Sequence, residues 1–190
     1  MGNREDLMAG ARKAILEHGL ANTTARDIAT AAGVSLAAIG YHFGSKDRLI
    51  TEALNESLGS GIGDAMETLI RDTGATQSLP EAFAATWNGM RDVLERNRDG
   101  LMLSFENGSR IARSPEAQQH MTNSIGGVYD DLAAVVRTTH PDLNSEQARS
   151  IAQLYFVLLQ GFATLSLLTP EGELPDGDDL ARAVAALSGR

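Results

Sequence analysis

Residues 24–49 read TARDIATAAGVSLAAIGYHFGSKDRL, and the fold is decided in this stretch. Two short helices joined by a tight turn need a small residue where they approach. They also need a glycine able to take positive φ in the turn, and an apolar residue on the second helix to close the little core. Ala29, Gly33 and Ile39 stand in that order at the matching offsets. Thr24, with Asp27 three residues on, is a capping-box start for a helix over residues 25–32 that Gly33 ends. Ser35 reads as the cap of a third, short helix running through Tyr41, and Ser45, ahead of Lys46 and Asp47, opens a fourth. Ile28, Ala32, Val34 and Phe43 complete the buried side. Leu36, Ala37, Ala38 and Gly40 are then left on or near the exposed face of the second helix of the pair, which is small enough to enter a major groove.

Upstream, Leu7, Met8, Ala11, Ala14, Ile15 and His18 recur at helical spacing from about Asn3, and Gly19 supplies a left-handed stop. Downstream, the fourth helix is expected to bend or break around Gly59, Gly61 and Gly63. Ser78 with Glu81 around Pro80, Ser114-Pro115-Glu116, and Asn144 with Gln147 each place a cap ahead of periodic apolar residues. They predict helices at about 79–98, 100–111, 115–139 and 145–169, with a last one at 177–187 beyond an acidic, Gly- and Pro-containing loop over 170–179. No alternating segment argues for a strand. The expectation is an all-α fold of eight to nine helices.

Composition narrows the function. With 190 residues, 43% hydrophobic and 22% charged, the chain reads as an ordinary globular protein. The absence of cysteine removes disulfides and thiolate chemistry, and four scattered His offer no zinc-ligand spacing, so no metal is expected. The polar, acidic start at residues 1–6 is unlike a signal peptide, which predicts a cytoplasmic protein. The longest apolar stretch, 154–168, is broken by Gln160, Gly161, Thr164 and Ser166, arguing against a membrane span. Gly-x-Ser-x-Gly, phosphate-loop and His-Glu-x-x-His patterns are missing, and Gly59-Ser-Gly-Ile-Gly follows no strand. Asp130-Asp131 and Asp178-Asp179 read as solvated faces, so neither an enzyme nor a cofactor is expected. The net charge is −9, yet residues 1–50 carry Arg4, Arg12, Lys13, Arg26, Lys46 and Arg48 against five acids, a net of +1. Contact with nucleic acid is therefore confined to this N-terminal part.

The 24–49 run also resembles the N-terminal signature of the tetracycline-repressor (TetR) family, combining the turn, the Tyr41-His42-Phe43 tail and Lys46 at the start of the next helix. The resemblance covers about the first fifty residues; beyond them only length and helical layout agree. It implies a helix-turn-helix DNA-binding domain over residues 1–50 and an effector-binding and dimerisation domain over 51–190. It further implies a homodimer on a pseudo-palindromic double-stranded DNA operator, joined through the helices at 115–139 and 145–169, with a small-molecule cavity in the second domain. Tyr41 falls where the family has an aromatic phosphate contact, and Gly40 stands where many members carry another Tyr.

The residues themselves suggest further contacts, each with a plainer alternative. Lys46 joins the free N–H groups of its helix in holding a phosphate, or is simply solvated. Thr24 caps its helix and touches phosphate with the same hydroxyl, while Ser35 and His42 reach the backbone or serve as cap and packing. Arg26 and Arg48 contact DNA or pair with nearby acids. Leu36, Ala37 and Ala38 suit thymine methyl groups better than hydrogen bonds.

In the second domain, the rods at 115–139 and 145–169 would each be roughly 35 Å long. The second is apolar nearly all round, as for a helix covered by its own domain and a partner, or by a bundle core alone. Gly126 and Gly127 mark either close backbone packing or a kink. Trp87, Met90, Met102, Phe105, Tyr129 and Phe156 are candidates to line an effector cavity, with Glu106, Asn107, Arg110 and Gln160 setting its polarity; such a lining suits a hydrophobic or aromatic compound. The competing readings are a helical protein-interaction module and a DNA-binding activator without a small-molecule effector.

Overall fold

A computed structural model describes residues 4–169 and 172–188. Its helices are α1 Arg4–His18, α2 Ala25–Ala32, α3 Ala37–Phe43, α4 Lys46–Leu58, α5 Asp64–Gly74, α6 Leu79–Arg96, α7 Arg98–Ile111, α8 Pro115–Thr139, α9 Ser145–Leu168 and α10 Gly177–Leu187. The fold is all-α, with no strand among the described residues. A π turn, Gly59–Gly63, joins α4 to α5 without interruption. The bend or break expected at the three glycines takes the form of wider i→i+5 hydrogen bonding, and with α4, this turn and α5 counted as one helix the described helices number nine. Asn3, expected to start α1, and Pro170, expected to open the acidic loop, lie outside the described residues.

The chain forms two compact units, Met1–Gly59 with Met102–Gln119, and Ser60–Leu101 with His120–Arg190. In the first, α1 packs on α2 and α4 through Leu7, Met8, Ala11, Ala14 and Ile15, all buried. Gly10 permits this approach: a Cβ there would stand 2.7 Å from Ala32 Cβ and 2.9 Å from the Ile28 carbonyl oxygen. Leu103 packs against the same core. Beside it, buried Asn107 donates from Nδ2 to Thr51 Oγ1 at 3.2 Å, and Arg110 pairs with Asp47.

In the second unit α6 is the central element, packed by α5, α9 and α10. Ser78 and Glu81 form the capping box that opens it. Asn144 with Gln147 and Asp176 with Asp179 do the same for α9 and α10. Trp87 of α6 stacks on Tyr155 and Phe162 of α9 at ring separations of 5.8 and 5.2 Å, with Phe83 edge-on at 6.4 Å. Burial pushes the Tyr155 phenol up to about 12 against the opposing effect of its hydrogen bond with Thr86. Thr86 Oγ1 in turn lies 3.1 Å from Thr73 Oγ1.

Much of α9 stays uncovered in the single chain, where Val157 is 62% and Leu165 45% exposed. Its best 18-residue window has a mean hydropathy of 1.7, with 22% of that window buried. By length and composition alone α9 is apolar enough to cross a membrane, a property that core helices of globular proteins share.

Candidate nucleic-acid interface

The first unit builds the turn as the residue pattern requires. Thr24 Oγ1 accepts the Asp27 N–H at 3.2 Å, and the Asp27 carboxylate accepts the Thr24 N–H at 2.9 Å, closing a reciprocal cap. The Thr24 hydroxyl also donates to that carboxylate at 2.7 Å, and this bond first, then the one from the Thr24 N–H, holds the Asp27 carboxyl below its usual range. Gly33 ends α2 at φ 67°, a left-handed conformation in which its N–H and that of Val34 return to α2 carbonyls. Ala29 and Ile39 are buried at the crossing.

Ser35 is not the cap of α3. The backbone is already helical at Leu36, with φ −56° and ψ −34°, and no side-chain cap bond forms. The Ser35 carbonyl, rather than its hydroxyl, accepts the Ala38 N–H at 3.0 Å. Nor does α3 stop at Tyr41. It runs to Phe43, whose burial in the core holds the last turn, and Gly44 ends it at φ 76°.

Exposure sorts the candidate contacts. Leu36, Ala37, Gly40 and Tyr41 face outward, as do Thr24, Arg26 and Ser35, while Ala38 and His42 are half-buried. Tyr41 is 84% exposed and meets the His42 ring edge-on at 4.9 Å, which removes the alternative of a partly buried aromatic. Lys46 is half-buried and its Nζ donates to the Thr23 carbonyl at 2.9 Å, so it is no plain solvated lysine. Its ammonium is held between the end of the α1–α2 loop and the first turn of α4. Ser45 Oγ accepts the Arg48 N–H and so caps α4. Arg48 pairs with Glu52 at 2.9 Å, the surface-pairing alternative.

Sequence reasoning missed three features here. Arg4 also reaches Glu52 and lies 5.1 Å over the Phe43 ring, tying the start of α1 to the end of α3. The Arg48–Glu52 spacing of four was a legible signal, whereas nothing local announced Arg4 or the Thr23 carbonyl as partners. Asn107 lies in this unit, bonded to Thr51.

The comparisons with known proteins fall on the same region. The family model for bacterial regulatory proteins, tetR family, matches residues 7–53. Over those residues the chain is similar to tetR-family regulators. The HTH-type transcriptional regulator BetI of Agrobacterium fabrum is 40% identical over 76 residues, 40% of this chain and 37% of BetI. This chain thus spans little more than a third of that relative. The HTH-type transcriptional repressor AcnR of Corynebacterium efficiens is 26% identical over 85% of this chain and 80% of its own length. Among solved structures, the multidrug binding protein EbrR, complexed with imidazole, superposes with a TM-score of 0.63 at 20% identity, covering 97% of this chain and 93% of that one. That likeness shows a shared fold.

The residues expected around an effector divide between the two units. Met102, Phe105, Glu106 and Arg110 belong to the first, where Met102, Phe105 and Glu106 are exposed and Arg110 is taken by Asp47. Trp87, Met90, Tyr129, Phe156 and Gln160 belong to the second. Trp87 and Met90 are core there, Tyr129 meets Phe156 edge-on at 5.4 Å, and Gln160 is exposed. A separate surface groove of about 480 Å³ lies along α5 and α6, lined by Asp64, Thr68, Leu69, Asp92 and Arg96. None of the expected residues lines it.

Proposed function

We propose that the chain is a transcriptional repressor that occupies a pseudo-palindromic operator as a homodimer and is released by a small molecule. The observation that carries the DNA-binding part is the outward stripe of α3 ending in Tyr41, 84% exposed, beside the capped start of α4. A phenolic hydroxyl so placed donates to a phosphate oxygen, and Lys46 adds charge within the same turn. Residues 1–50 are the DNA-binding domain in this reading, and residues 51–190 bind the effector and the partner. The sense of regulation follows AcnR, named a repressor and aligned over most of this chain. A chain that reads chromosomal DNA works in the cytoplasm.

The dimer is supported by the apolar surface that one chain leaves on α8 and α9, where Val128, Leu154, Val157, Leu165 and Leu168 are exposed. Around Gly126 and Gly127 nothing lies within 4 Å of where a Cβ would stand, leaving room for a partner backbone. An effector of hydrophobic or aromatic character is supported by the cluster of Phe83, Trp87, Tyr155 and Phe162. Among the described residues, the buried Trp87 Nε1 has no acceptor, and a buried donor of this kind calls for one. In operation, the effector binds a state whose two recognition helices miss successive major grooves, about 34 Å apart. Switching from mostly bound to mostly free requires roughly 5 kcal/mol of differential affinity.

The test is fluorescence anisotropy with the intergenic DNA flanking the chain's own gene, across a salt series, with Tyr41→Ala and Lys46→Ala alongside. Binding that survives competitor DNA, falls with salt and weakens in both variants establishes the reading. Binding with no sequence preference at any salt, together with failure to capture specific genomic fragments, overturns it in favour of a protein-interaction module.

A further inference from the structure

The outward surface of α3 is chemically narrow. Leu36 (51% exposed), Ala37, Gly40 and Tyr41 form one stripe, two adjacent pairs separated by a turn of helix, while Ile39 and Phe43 point into the core. Apart from the Tyr41 hydroxyl at its end, no side chain on the stripe donates or accepts a hydrogen bond. Of the polar groups around it, Thr24 bonds Asp27, Lys46 the Thr23 carbonyl and Arg48 Glu52, while Ser35 and Arg26 stand exposed outside α3 itself. At Gly40 the surface is bare backbone, with nothing within 4 Å of its Cβ position.

In the major groove the four base-pair orientations are told apart by their patterns of donors and acceptors and by one apolar group, the C5 methyl of thymine. A stripe made of an isobutyl group, a methyl group and bare backbone is blind to the first signals and complementary to the last. We propose that this chain selects its operator half-sites through thymine methyl groups, packed against Leu36 and Ala37, with hydrogen-bonded base readout by α3 absent. The proposal rests on the DNA-binding reading above and names the feature of the DNA that is read. Leu36 is the specificity-determining residue, and Tyr41 positions the helix from the phosphate side.

The test starts from duplexes enriched by the full-length chain out of a random-sequence library. The best duplex is resynthesised with deoxyuridine in place of thymidine, one symmetric pair at a time, which removes the methyl and keeps every hydrogen-bonding group. Affinity is read by anisotropy at fixed salt. At the positions under α3 the expected loss is about fourfold per methyl contact. Replacing such a T·A pair by C·G loses affinity, and 5-methylcytosine at that position restores part of it. Leu36→Ala abolishes the deoxyuridine penalty at its own position and leaves the salt slope unchanged. Specific, salt-dependent, Tyr41-dependent binding that is indifferent to deoxyuridine at every position overturns the methyl reading alone. A full penalty retained in Leu36→Ala overturns the assignment to that residue. If no duplex is enriched, the DNA-binding reading itself fails and this proposal with it.

Discussion

The Lys46 ammonium donates to the Thr23 carbonyl oxygen at 2.9 Å, joining the loop before α2 to the first turn of α4. One cation therefore braces this turn and, in the proposed reading, presents charge to DNA. Lys46→Met keeps the stem and deletes both functions. Loss of one hydrogen bond costs about 1 kcal/mol, read from urea unfolding, and loss of one phosphate contact lowers the salt slope of DNA binding by about 1 per protomer. A variant less stable but with an unchanged slope would confine Lys46 to the brace.

Inside the same unit, Asn107 and Thr51 are both nearly fully buried and bonded to each other. Asn107→Leu alone strands the Thr51 hydroxyl and is expected to cost about 1–3 kcal/mol. Thr51→Val in the Asn107→Leu background should recover part of this, because both polar partners are then gone. A double-mutant cycle by urea unfolding checks it, and additive losses would show that the bond contributes nothing.

Two groups set opposite pH limits. The Asp27 carboxyl sits below its usual value in the folded chain, so the stability it contributes is present above the unfolded pKa and is lost as pH falls through the folded one. Asp27→Asn should flatten that acid limb of a stability-versus-pH profile. Tyr155 is displaced the other way, to about 12. The folded state then holds a proton that the unfolded state releases from about pH 10, so stability declines as pH rises from there towards 12. Tyr155→Phe should remove this alkaline decline.

On α9, Val157 is 62% exposed in the single chain. If a second copy covers it, Val157→Glu places an unpaired carboxylate in an apolar interface, and sedimentation velocity should show monomer where the parent chain is dimeric. The monomeric variant should keep its helicity and bind an operator at least tenfold more weakly, since half-sites no longer act together. Dimer retained in the variant would move the interface off this part of α9.

Local rules carried a large share of the fold. The Thr24–Asp27, Ser78–Glu81 and Asn144–Gln147 boxes, the glycine at position 33 and the 3.6-residue spacing placed most helix ends within two residues, because caps and turns are settled by neighbours a few positions apart. The same rules failed at Ser35, whose side chain yields to backbone bonds in a turn already helical at Leu36. At Gly59–Gly63 the glycines mark a π turn between α4 and α5.

For the candidate interface, the sequence by itself determined which residues form the turn and which side of α3 is apolar. Tertiary structure alone decided that Tyr41 stands out from the surface and that Lys46 is tethered to Thr23. It also decided that Asn107 and Arg110 belong to the N-terminal unit, bonded to Thr51 and Asp47. Those outcomes depend on pairs separated by up to 63 positions in the chain. Residue spacing carries no record of such pairs, because they form only when packing of the apolar faces brings distant polar groups within hydrogen-bond reach.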